Sequence, residues 1–349
     1  MQRPDPDISQ RSTHILRSTK KRRPFAVVGM LFALGLILSV TLYAIYANQT
    51  SPNAFSKITT VLHSIVGTSA PASTCTTPSH DPGNSTVSIT SGGLQRTMLI
   101  HLPPSYGIQP QALVINYHGY SSSAQNMAAY SQMPAEADKA GFVLVFPQGI
   151  DDPSSWNAGI NGQGVPTGTA DDVQFTRDML KFLTKNYCIN SHHIYVAGYS
   201  IGGGMAYRVA CTLTNQIAAL ATVAGAFYHA PGGCQPSRPL PILEIHGQAD
   251  GYAPYNGNSY QGMAAVQVYL NVWLNYDQCT GDPQSIFQQG DVTGITWKHC
   301  ADGTVVTHYR ISDGGHTWPG GGTISFLGYN THVINANEVI WNFFNQYST

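Results

Sequence analysis

Short apolar runs alternate along the chain with segments whose apolar residues recur at helical spacing. Residues 97–102, 112–117 and 142–146 read as strands, with a helix over 127–139 between the last two. Residues 172–186 carry an amphipathic pattern, with Val173, Phe175, Met179, Phe182 and Leu183 on or near one face. A strand at 193–199 follows, then a helix opening at 203, an apolar run at 218–227 and a strand at 241–246. The pattern closes with a helix at 263–276, a strand at 308–311 and a helix at 335–344. Strands that alternate with helices predict an α/β fold with a mainly parallel central sheet covered on both faces. Asp171 and Asp172 are expected to cap the long helix, where carboxylates suit the positive end of its dipole. There is no internal repeat.

The N-terminus departs from this pattern. Lys20, Lys21, Arg22 and Arg23 precede an uncharged apolar run over 25–47, long enough to cross a hydrocarbon core of roughly 30 Å as one transmembrane helix. The basic cluster places residues 1–24 in the cytoplasm and the rest of the chain outside, anchored to the membrane through 25–47. A cleaved signal peptide and a secreted product form the alternative, since Ile45 and Ala47 make an acceptable cleavage site. Residues 48–74, rich in Ser, Thr, Pro, Ala and Asn, read as an extracytoplasmic linker. Residues 75–349 have the length of one large α/β domain.

Composition narrows the class further. Charged residues are only 10% of the chain, hydrophobic residues 42%, and the net charge is -1. Lys and Arg do not cluster beyond the N-terminus, so no nucleic-acid partner is expected. All six cysteines lie after the apolar segment, which predicts three disulfides in an oxidising compartment. Six cysteines allow about 15 connectivities and spacing does not choose among them. The working pairing is Cys188–Cys211, Cys279–Cys300 and Cys75–Cys234. No Cys-x-x-Cys pair occurs, so no metal site is expected, and no cofactor is implied.

The chemistry centres on Gly198-Tyr199-Ser200-Ile201-Gly202, between the run His193-Ile194-Tyr195-Val196-Ala197 and a helical segment from Gly203. Strand, sharp turn and helix around Gly-x-Ser-x-Gly form the context of a nucleophile elbow, with Ser200 exposed at the top of a sheet. A serine hydroxyl needs a base, and the base a third group that fixes its tautomer. Asp250 follows the strand Ile242-Leu243-Glu244-Ile245-His246 on a short loop, where the acid of such an arrangement sits. Its other reading is a turn-forming Asp-Gly. His316 lies in the Gly-rich stretch Gly314-Gly315-His316-Thr317-Trp318 after the last strand, and is preferred as base over His308 and His332. His118 and His246, each before a glycine at a strand end, read as structural hydrogen-bonding residues. Backbone amides of Ile201 and of Tyr120, with Ser121 as the alternative second donor, are expected to form an oxyanion hole. Trp318, Trp156 and Tyr252, on loops at the same end of the sheet, are assigned to substrate binding, with local packing as the alternative.

In chain order, Tyr117-His118-Gly119, Phe146-Pro147-Gln148-Gly149, Asp171-Asp172-Val173, Tyr187-Cys188-Ile189, the elbow, His246-Gly247-Gln248-Ala249-Asp250 and Gly314-Gly315-His316-Thr317-Trp318-Pro319-Gly320 occur together. This set resembles the secreted α/β-hydrolases grouped as poly(3-hydroxybutyrate) depolymerase-like proteins and carbohydrate-esterase feruloyl or acetylxylan esterases. The resemblance runs from about Cys75 to the C-terminus. It implies an α/β-hydrolase fold, a Ser200–His316–Asp250 triad and an ester substrate, either a polyester oligomer or a plant-polysaccharide ester. It also supports the cysteine pairing above. Tyr120 departs from the family, many of whose depolymerases carry a cysteine after His-Gly, and Ala253-Pro254 replaces the more usual Val-Pro. The expected protein is a monomeric extracytoplasmic serine carboxylesterase. A peptidase or acyltransferase on the same fold, or a non-catalytic surface binding protein, are the competing readings.

Overall fold

In the computed structural model, which describes Cys75 and residues 80–349 other than 231, ten strands join in one sheet. In chain order the elements are β1 (Gly83–Ser91), β2 (Leu94–Leu102), β3 (Gln111–Tyr117), α1 (Ala124–Ser131), α2 (Met133–Ala140), β4 (Val143–Pro147), α3 (Asp172–Asn186) and β5 (Ile189–Tyr199). Then come α4 (Ile201–Thr212), β6 (Ala219–Val223), β7 (Ile242–Gly247), α5 (Val266–Tyr276), β8 (Gln284–Gln289), β9 (Val292–Trp297), β10 (Val306–Ile311) and α6 (Ala336–Phe344). The strand order is β1-β2-β4-β3-β5-β6-β7-β10-β9-β8. Strands β4 to β10 in that order pair parallel, and an antiparallel pair extends each edge.

The central strands are apolar throughout because both faces are covered. Every residue of β4, β6 and β7 is buried. Alternation divides the side chains. Leu113, Ile115, Val196, Leu220 and Ile242 join one core with Phe175, Met179, Met205, Val209 and Trp273 of α3, α4 and α5. Val114, Leu144, Tyr195, Ala221 and Leu243 join the other with Met127, Ala137, Ile340 and Phe344 of α1, α2 and α6. Each large side chain so buried contributes about 1.5–3 kcal/mol.

Three readings of secondary structure change. The helix expected over 127–139 is two helices, broken at Gln132, whose left-handed φ of 55° ends α1 and begins α2. Pro134 explains the restart, because inside a continuous helix its ring would clash with the preceding turn. The run at 218–227 keeps only β6 as strand, since Ala224 adopts φ 48° and the chain turns back over α4, where the Ala226 N–H bonds Ser200 O at 2.9 Å. Strands β1, β8 and β9 are additions to the sequence pattern. β1 and β8 are mostly exposed edge strands rich in Ser, Thr, Asn and Gln, without an apolar period.

Asp171 caps α3 through the Gln174 N–H at 2.9 Å. Asp172 does something else. It is buried, pairs with Arg96 of β2 at 2.7 Å and accepts the Asn157 N–H at 2.7 Å. The Arg96 guanidinium lies 4.0 Å over the Phe175 ring. Burial pushes the Asp172 carboxyl up, and Arg96 and the Asn157 N–H offset this only in part. Replacing Arg96 by Met should cost about 3–5 kcal/mol, because it strands a buried carboxylate. Urea unfolding measures this; a loss under about 1 kcal/mol would show that the pair is not holding β2 to α3.

The disulfides are Cys75–Cys188, Cys211–Cys234 and Cys279–Cys300. The last is the expected pair; Cys188–Cys211 and Cys75–Cys234 are corrected. His80 stacks on Tyr187 at 4.3 Å and bonds Asn186 O, so the chain ahead of β1 passes the end of α3 and brings Cys75 to Cys188. Cys211 lies in the last turn of α4, whose Tyr207 packs on Tyr269 and Trp273 of α5. Tyr276 of α5 donates to the Cys234 carbonyl, which sets that loop beside Cys211. The apolar segment 25–47 lies outside the described residues; among those described, no helix is long and apolar enough to cross a membrane.

Candidate active site

Ser200 stands between β5 and α4 with φ 58° and ψ −126°. A serine holds that conformation only because the turn is over-determined. Its N–H bonds Val223 O at 3.1 Å, and its carbonyl accepts from Gly203, Gly204 and Ala226. A Cβ at Gly202 would run into the carbonyls of Tyr117 and His118. The glycine lets α4 begin directly against the end of β3.

The acid and histidine loops meet backbone to backbone. A Cβ at Gly247 would strike the Gly314 carbonyl, which instead accepts the Ala249 N–H at 3.0 Å. His316 N–H bonds Leu327 O at 2.7 Å. Its ring reaches Ser200 Oγ from Nε2 at 2.8 Å and Asp250 Oδ2 from Nδ1 at 2.7 Å. The carboxylate accepts at Nδ1–H, which leaves the Nε2 lone pair for the serine proton. Asp250 Oδ1 takes the Tyr252 and Ala253 N–H groups, both at 2.8 Å. Burial alone would raise the Asp250 carboxyl, but His246 and His316 hold it well below the usual carboxylate range. This arrangement can deprotonate a hydroxyl and later return the proton to a leaving group.

The loop opposite carries His118, Gly119 and Tyr120. A Cβ on Gly119 would lie 3.4 Å from Ser200 Cβ and 3.0 Å from the Tyr199 ring, so this backbone approaches the serine closely. The amide of Ser121, the alternative oxyanion donor, is spent on Ser154 O at 2.7 Å. Ile201, in the first turn of α4, and Tyr120 line the cleft together with Ser200. Buried His118 fixes the loop: Nδ1 donates to Gly119 O at 2.7 Å and Nε2 accepts the Gly149 N–H at 3.0 Å. Burial holds its pKa down at about 4 against the Gly119 bond. Between pH 6.5 and 4 the unfolded chain therefore binds a proton here that the folded chain refuses. The contribution of His118 to stability should fall by about 3 kcal/mol as pH drops through that window. His118→Gln, which keeps a donor and an acceptor, should lose that dependence in denaturant titrations at pH 7 and 4.5. Equal slopes for both proteins would refute it.

Two expected substrate residues are misplaced. Trp156 is fully buried, its Nε1 donating to His118 O at 2.8 Å, beneath the Gly119 loop. Trp318 is also fully buried, bonded from Nε1 to Asn337 at 2.9 Å and from its N–H to Tyr130. Both indoles support loops from below; a loop position did not reveal which way the ring turns. Tyr252 does face the site, half exposed and 5.4 Å from the His316 ring. The cleft over Ser200 has a volume of about 860 Å³. Tyr120, Met127, Tyr228, Tyr252, Met263 and Phe326 are among its lining; the sequence carries no signal that places Met127, Met263 and Phe326 at the site. Of the competing histidines, His308 lies buried against Glu244 and His332 is exposed.

A profile of the phospholipase/carboxylesterase family of α/β-hydrolases matches residues 105–284, just over half of the 349-residue chain. The chain belongs to the phospholipase/carboxylesterase family. The family match includes Gly119, Ser200 and Asp250 and ends before His316. Feruloyl esterase B of Piromyces equi is 32% identical over 237 residues, covering 63% of this chain and 42% of that protein. The putative esterase NocK of Nocardia uniformis is 27% identical over 268 residues, covering 70% and 76%. The bifunctional acetylxylan esterase/xylanase XynS20E of Neocallimastix patriciarum is 25% identical over 224 residues, covering 62% and 31%. An acetyl xylan esterase from Aspergillus awamori superposes with a TM-score of 0.50 at 14% identity, over 67% of this chain and 94% of that one. That likeness establishes the shared fold.

Proposed function

We propose that this phospholipase/carboxylesterase family member is a serine carboxylesterase whose substrate is a feruloyl or acetyl ester of a plant polysaccharide. The observation that carries the reading is the unbroken chain Ser200–His316–Asp250, with links of 2.8 and 2.7 Å, at the floor of the cleft. In this mechanism Ser200 Oγ attacks the ester carbonyl while His316 takes its proton, and the amides of Ile201 and Tyr120 receive the oxyanion. His316 returns the proton to the leaving sugar hydroxyl. Water, deprotonated by His316, then attacks the acyl carbon, and His316 passes that proton to Ser200 Oγ as the acid leaves. The cleft of about 860 Å³, with aromatic and methionine side chains around it, suits an aromatic acyl group together with part of its sugar. Three disulfides agree with work in an oxidising compartment, outside the cytoplasm.

Parallel assays on methyl ferulate, acetylated xylan and polyhydroxybutyrate test the substrate class. Turnover of either of the first two is expected to exceed polyester hydrolysis by at least about tenfold, or about 1.4 kcal/mol of barrier. Preferential release of hydroxybutyrate would overturn the polysaccharide assignment while leaving the serine chemistry intact.

A further inference from the structure

Glu244 and His246 alternate with apolar neighbours on β7, so they share one face of the strand, just beneath Asp250. His246 is 1% exposed, and both ring nitrogens meet acceptors. Nδ1 lies 2.8 Å from Glu244 Oε1, and Nε2 lies 2.8 Å from the Ala253 carbonyl. Asp250 Oδ2 is 3.4 Å from the same Nε2. A carbonyl only accepts, so Nε2 carries a proton; an ionised Glu244 only accepts, so Nδ1 carries another. The ring is then a buried imidazolium between two carboxylates. Ala253 is held at both ends, its carbonyl by His246 and its N–H by Asp250 Oδ1.

We infer that His246, charged and oriented by Glu244, is a positioning residue that fixes the Asp250 carboxylate and its supporting peptide against His316. The inference rests on the triad assigned under the proposed function. It accounts for an otherwise costly feature, an ionisable Glu–His pair in the core of a parallel strand. The surrounding charges are consistent with it. On β10, His308 Nδ1 lies 2.6 Å from Glu244 Oε2, a close contact off the hydrogen-bond line, and Arg310 stands opposite His246 in register. Tyr255 packs 5.8 Å from the His246 ring and bonds His308, while Tyr269 of α5 lies within the field of Glu244. His316 approaches from the far side of Asp250. Burial opposes the charge on His246, but Glu244 and Asp250 outweigh it, and the imidazole is pushed up to about 10.

His246→Gln, assayed on p-nitrophenyl acetate across pH, is the test. kcat should fall about 10- to 100-fold with KM unchanged within about twofold, as expected when a group acts only through the catalytic array. The acid limb of kcat/KM should move to higher pH, because two carboxylates then face His316 without the offsetting cation. The double variant E244Q/H246Q, which removes both charges, should return the limb toward its wild-type position. A merely structural role would lower the unfolding midpoint and leave the limb in place, and that result overturns the inference. If H246Q does not fold, 15N spectra of histidine-labelled wild-type protein decide. One ring that keeps both N–H groups through pH 8.5 supports the inference, and titration of every ring below pH 8 overturns it. Wild-type turnover abolished in S200A is the control. Its absence removes the proposed function, whereas an active wild type with an indistinguishable H246Q removes only the role of His246.

Discussion

Ser200→Ala is expected to lower kcat on p-nitrophenyl acetate by roughly 10⁴-fold or more. The size follows from what the oxygen does. Ser200 Oγ has one protein partner, His316 Nε2 at 2.8 Å, and it takes no part in capping α4. Removing it therefore eliminates the attacking atom while the backbone bonds that hold the elbow stay in place. The oxyanion amides and the cleft are untouched, so any residual rate over water comes from them. Thermal unfolding should move little, since the φ of 58° is held by the turn and not by the hydroxyl. Steady-state kinetics with an unfolding scan on the same sample separate the two effects. A variant within tenfold of wild type would mean that another residue attacks the ester.

Asp250→Asn should cost nearly as much, roughly 10⁴-fold in kcat. The asparagine can present an N–H to His316 Nδ1 and so favour the tautomer with its proton on Nε2, which then cannot accept from Ser200. It also leaves the buried His246 without one of the carboxylates around it, at 3.4 Å. In the native protein His246 and His316 hold the carboxyl well below the usual range, whereas an asparagine amide has no proton to lose over the ordinary pH range. Raising the pH should therefore not rescue the variant, and a profile from pH 6 to 9 checks this. Recovery of wild-type activity at high pH would mean that the tautomer of His316 is fixed by something other than Asp250.

The sequence order Ser200, Asp250, His316 was legible because each residue sits in a local context that restricts its use. Gly202 and Gly247 occupy places where one backbone presses on another, so the glycines around these residues report real steric limits. The parallel centre of the sheet was legible too, because strands buried on both faces are apolar along their whole length. Edge strands lack that signal: β1 and β8 are mostly solvent-facing, and their polar residues resemble loop. Aromatic type on a loop says that a ring will be buried somewhere; Trp156 and Trp318 turn under their loops while Tyr252 turns over the cleft. Disulfide partners depend on which helix ends are neighbours, and the contact between α4 and α5 that sets Cys211 beside Cys234 is tertiary. The Glu244–His246 pair did leave a trace, since residues two apart on a strand share a face and these two are ionisable in an apolar run.

Covalent labelling by a fluorophosphonate, read by intact mass and peptide mapping, tests the central assignment most directly. One adduct per chain is expected on the peptide carrying Ser200, lost in Ser200→Ala and strongly slowed in His316→Asn. An unlabelled wild-type protein, or an adduct mapped to a different serine, would contradict it.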